Sequence, residues 1–128
     1  MQRPMQRLNR ATKLAAFSVA LCVMAACSAG VQPQPFDGPI WSASAQVIQD
    51  NPRLAMAKFL VQTRALAGKS RVQVIKHLGA ADQESPGGDC QLLYFLGAFP
   101  NSLGPDPAML CIRLGTDGLV ASYEVIEA

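Results

Sequence analysis

A single histidine, His77, serves the whole 128-residue chain. A His-based metal centre or a Cys-His nucleophile would have to be built from it and a cysteine, so neither chemistry has its usual set of groups. Basic charge is also scarce where a domain would need it. Of eleven Lys and Arg, four (Arg3, Arg7, Arg10 and Lys13) precede residue 14, whereas all nine Asp and Glu lie beyond residue 26. Without that leader, seven basic face nine acidic residues, a net charge of −2. The pI of 8.4 thus belongs to the full chain, and no basic face remains to bind nucleic acid. A long hydrophobic run is missing too. Leu14 to Ala26 is apolar or small throughout, but 13 residues make only about 20 Å of helix against a hydrocarbon core of about 30 Å. A transmembrane helix is not expected.

Other catalytic patterns are incomplete. Gly68-Lys69-Ser70 matches the end of a phosphate-binding loop, yet its first glycine would fall at Thr63 and a helix precedes it. Asp82, Glu84 and Asp89 flank a loop rather than sharing a helix face, so no acid–base pair stands out. His77 is expected to interact with a helix C-terminus. No catalytic residue, metal, cofactor or small-molecule substrate is expected.

What is present is a leader: a charged n-region followed by an apolar h-region, the pattern of a secretory signal over residues 1–26. It ends at Met24-Ala25-Ala26-Cys27, which resembles the lipobox of bacterial lipoproteins. That resemblance implies cleavage before Cys27 and acylation of its thiol and new N-terminus, a membrane attachment that several acyl chains make effectively permanent. Ordinary cleavage near Ala29 is the alternative. Ser28, where Asp favours inner-membrane retention in Gram-negative lipoproteins, implies the periplasmic face of the outer membrane. Residues 27–40 are rich in Gly, Pro, Gln and Ser, which predicts a lipid-linked tether of up to about 40 Å.

Residues 41–128 make one domain. Asn51-Pro52 reads as an N-cap and first helical position, giving a helix over 52–66. Ser70 and Gln73 fit a capping box for a second helix over 71–78 that stops at Gly79. Three strands follow, over 90–97, 108–115 and 119–127, the last two joined by a two-residue turn at Asp117-Gly118. The fold class is α+β, with two helices on one face of a three-stranded antiparallel sheet. The hairpin register pairs Leu114 with Ala121, Ile112 with Tyr123 and Leu110 with Val125 on the helix-facing side.

The first strand is apolar on both faces. With Leu93 and Phe95 in the core, Leu92, Tyr94 and Leu96 join Met109 in an outer patch bordered by Arg113 and Glu124. An apolar patch of this kind marks a contact surface, unless the tether or the segment around Trp41 folds back over it. Cys90 and Cys111 are the two thiols left in the domain, and both fall on the outer face. An oxidising compartment would bridge them, but placing them directly opposite would draw Pro105 and Pro107 into the ladder. A register that avoids this sets Cys111 opposite Tyr94, so a bridge and two separate thiols both stay open.

Arg53 to Met56, Gly68 to Val74, Leu78 to Asp82, Leu93 to Gly97 and Leu114 to Val120, in that order behind a lipobox, resemble the two-helix, three-strand pattern of the SmpA/OmlA (BamE-like) family. Ala81 and Arg113-Leu114-Gly115 depart from it. The resemblance implies a non-catalytic interaction module in outer-membrane protein assembly or envelope integrity, with a protein partner in the envelope. The family shares its architecture with β-lactamase-inhibitor-like modules, so binding of a periplasmic or exported enzyme is the runner-up.

Overall fold

A computed structural model describes residues 31–100 and 106–127. The expected signal segment over residues 1–26 and the expected lipidation site Cys27 lie outside these residues. The described chain folds as α+β, with α1 (Gly38–Ala43), α2 (Pro52–Thr63), α3 (Arg71–Leu78), β1 (Gln83–Glu84), β2 (Leu92–Phe95), β3 (Ala108–Leu114) and β4 (Val120–Glu127). The strands form one antiparallel sheet in the order β1-β2-β3-β4. One helix and one strand are thus additional to the expected pattern.

Local chemistry sets the helix starts. The Asn51 side chain accepts from the Arg53 amide with Pro52 behind it, so Pro takes a position where a missing N–H costs nothing. Ser70 and Gln73 form the reciprocal capping box. α2 ends three residues before the expected Leu66 because Arg64 turns left-handed, with φ of 56°. This turns Leu66 into the core, where it is fully buried. Gly79 ends α3 with φ of 85° and ψ of −176°, an extended positive-φ form reserved for glycine rather than the expected αL stop.

The hairpin keeps the expected pairs Leu110 with Val125 and Ile112 with Tyr123, but Leu114 faces Val120 instead of Ala121. Ala121 is left over as a bulge, which carries Val120 into the core and leaves Ala121 exposed. The turn is correspondingly longer. The Gly115 amide donates to Leu119 and only Gly118 adopts positive φ, whereas a two-residue I′ turn needs positive φ at both central residues.

Residues 31–40 are not a free tether. The Gln34 amide donates to the Ala55 carbonyl at 3.1 Å, and the Phe36 ring stacks on His77 at 4.5 Å between centroids. Asp37 caps α1 by accepting from the Ile40 amide, and Pro39 sits in that helix's first turn, where it is compatible with helix. Trp41, on α1, is buried and donates its indole N–H to the Leu78 carbonyl at 2.9 Å.

The core lies between the helices and the inner sheet face: Trp41, Met56, Leu60, Val74, Leu78, Leu92, Tyr94, Leu110 and Ile112 are its centre. Arg53 is buried beside it, donating to the carbonyls of Trp41 (2.7 Å) and Phe95 (3.2 Å). The Tyr123 hydroxyl donates to Leu60 and accepts from the Leu66 amide, fastening the end of α2 to β4.

Candidate interaction surface

Strand alternation divides the sheet into two unlike faces. β2 pairs Leu92 with Ile112, Leu93 with Cys111, Tyr94 with Leu110 and Phe95 with Met109. Since Ile112 and Leu110 point to the helices, so do Leu92 and Tyr94. The expected outer patch is therefore corrected: Leu92, Tyr94 and Leu96 are fully buried in the core, and Leu93 and Phe95 take the outer face. The shift is one residue, with Cys111 opposite Leu93 rather than Tyr94, and one residue reverses every side chain of a strand. Tyr94 tolerates the interior because its hydroxyl donates to the Gly79 carbonyl at 2.8 Å. A pattern apolar on both faces does not choose between them.

Met109, Arg113 and Glu124 do lie on the outer face, opposite Ile126, Ser122 and Cys111 respectively. The surface thus runs from Leu93 and Phe95 across Met109 to Ile126. Leu93, Phe95 and Ile126 are partly exposed, and Met109 between its neighbours is nearly covered. Trp41 and the 31–40 segment fold back over the helix side of the sheet instead. Among the described residues, no helix packs on the outer side.

Charge borders one end. Arg113 donates to Asp89 at 2.9 Å and to Glu124 at 3.1 Å. Those hydrogen bonds hold the guanidinium above its ordinary pKa. The same Arg113 bond, aided by its charge, draws the Asp89 carboxyl below the usual carboxylate range. The two carboxylates are exposed and Arg113 only partly covered, so this pairing orients the border more than it stabilises the fold.

Cys90 and Cys111 are joined by a disulfide. Cys90 lies off the ladder, in the loop before β2, so the bond forms with Pro107 still outside β3; Pro105 lies outside the described residues. Asp89, Cys90 and Cys111 are the one group among the described residues with metal-ligand spacing, but sulfurs consumed in a disulfide are not thiolate ligands.

Among the described residues, no thiol is brought to His77. Its ring stacks on Phe36 rather than facing a thiol, and burial, with the nearby Lys69 charge, lowers its pKa. Beside the Ser85 to Asp89 loop lies a depression bounded by Arg71, Glu84, Pro86 and Leu114, of which Arg71 and Glu84 pair with each other.

Comparison with protein-family models, with curated proteins and with solved structures finds no match.

Proposed function

We propose that the chain is an exported lipoprotein, held by acylated Cys27 at the periplasmic face of the outer membrane, whose domain is a non-catalytic protein-interaction module. The observation that carries the reading is the outer sheet face. Its apolar residues Leu93, Phe95, Met109 and Ile126 stand on a sheet whose other face is filled by helices. The disulfide and the Arg113 pairs hold its border in place, and a surface already rigid loses little entropy on binding. A cystine is also what an oxidising compartment produces, in keeping with export. A role in outer-membrane protein assembly or envelope integrity extends this reading along the SmpA/OmlA resemblance.

The test is photocrosslinking in cells from a benzophenone side chain at Phe95 or Ile126, with the exposed Val72 of α3 as reference. The expected result is a discrete adduct with an envelope protein from both outer-face positions, lost in a Met109→Glu background. Absence of any adduct specific to the outer face overturns the interaction reading. A soluble periplasmic enzyme as the crosslinked species favours the inhibitor-like alternative. Fractionation of Cys27→Ser tests anchoring separately: the variant is expected to leave the membrane fraction.

A further inference from the structure

Val31 is held against the domain. Its side chain packs on the core, its carbonyl accepts from Lys58 Nζ at 3.5 Å, and the Gln34 amide three residues on is bonded to α2. Only four peptide units separate it from Cys27 in the sequence, a contour of at most about 14 Å. A bilayer attached at Cys27 must therefore meet the domain on the side where Val31 lies.

That side has an apolar corner. Val31 borders a depression together with Gln49, Asp50, Ala98 and Pro100. Immediately before Gln49 come Val47 and Ile48, 39% and 61% exposed, and the Ile48 carbonyl accepts from the Ala98 amide at 2.8 Å. The loop carrying them is well braced. Asn51 Nδ2 donates to the carbonyls of Ser44 (2.8 Å) and Val47 (2.7 Å), and Ser44 Oγ donates to the Ile40 carbonyl. The two side chains are thus presented outward by a fixed backbone rather than left outside by a slack one.

We propose that the loop from Ser44 to Asp50 is a membrane-contact element, with Ile48 and Val47 seated among the lipids beside the acyl anchor. The proposal rests on acylation of Cys27. Two aliphatic side chains at about 25 cal/mol per Å² of buried apolar area hold a free protein only weakly. A covalent anchor makes the contact intramolecular, at an effective concentration in the millimolar range, so the loop needs only to orient the domain. A bilayer fits this corner better than a protein partner, because the short link fixes lipid as its neighbour.

The test uses the full acylated protein in vesicles of phosphatidylethanolamine and phosphatidylglycerol with brominated acyl chains. It compares Ile48→Trp with Val72→Trp after subtraction of the buried Trp41 signal. Val72 is the more exposed, at 72%, so unspecific adsorption would quench it at least as strongly. The expected result is emission from position 48 quenched several-fold more than from position 72. Protein that co-floats with the vesicles but shows equal or weaker quenching at position 48 overturns the loop's role and leaves anchoring intact. Protein that does not float overturns anchoring and the loop's role together.

Discussion

The Arg53 guanidinium carbon sits 4.5 Å from the ring centre of Trp41, while Arg53 Nε donates to the carbonyl of that same tryptophan at 2.7 Å. One side chain therefore ties α1 to α2, and through the Phe95 carbonyl it ties both to the end of β2. Asp82 lies 3.7 Å away and also accepts from the Phe95 amide. Burial lowers the pKa of Arg53, with Asp82 opposing the effect.

Arg53→Met is expected to lose about 2–3 kcal/mol, because two carbonyls give up a charged donor and lie in a water-poor interior. Arg53→Lys keeps the charge but replaces a fork by a single ammonium, and is expected to recover less than half of the loss. Urea unfolding of the three proteins measures this, and equal stability of Met and Lys variants with the parent would refute it.

Gly97 is the second joint in this region. A Cβ there would lie 2.6 Å from Asn51 Cβ and 2.7 Å from the Ile48 carbonyl oxygen, at φ of +84°. Gly97→Ala is therefore expected to cost at least about 2 kcal/mol, and to raise hydrogen exchange at the Ala98 amide, which the Ile48 carbonyl now accepts. Gly87, with open space around it and no positive φ, is the control position, where Ala is expected to be nearly neutral.

Loss of the disulfide has a calculable consequence. The bond spans a sequence separation of 21, which in the chain-entropy treatment is worth about 3 kcal/mol. Cys90→Ser combined with Cys111→Ala is expected to lower Tm by on the order of 15 °C for a domain of this size. The same shift on treating the parent with reductant would assign it to the bond rather than to the substituted side chains.

Stability at high pH follows from Tyr94. Burial, with smaller contributions from Glu84 and Asp82, pushes its phenol up from 10.0 to about 12. The unfolded chain thus releases this proton first as pH rises. The contribution is complete below pH 10 and lost between about 10 and 12, amounting to roughly 2–3 kcal/mol for two units. Denaturant midpoints of the parent should fall across that interval more steeply than those of Tyr94→Phe. Parallel curves would contradict the assignment.

Much of this was legible wherever the signal is local. Asn51-Pro52, the Ser70–Gln73 box and the hairpin pairs around Ile112 each depend on a few neighbouring residues, and each stands in the fold. The facing of β2 was not legible, since both sets of its side chains are apolar and only the Leu93–Cys111 register, a contact 18 positions apart in sequence, decides which goes inward. The lead-in at 31–40 failed for a similar reason. Its prolines and glutamines read as linker, and its attachment comes from Phe36 meeting a ring 41 residues later. β1 was hidden by brevity, as two residues are too few for an alternating pattern. The outer-face residues Leu93, Phe95 and Ile126 were misplaced or overlooked on the same grounds.

The docking of Phe36 also sets where a recombinant fragment can begin. A version started at Trp41, where regular hydrophobic sequence resumes, would amputate the Asp37 cap, strip the ring from His77 and open the indole to water. Starting at Val31 spares all three. A preparation that turns sticky when shortened from the amino end would be reporting a missing piece of its own interior, rather than a missing companion.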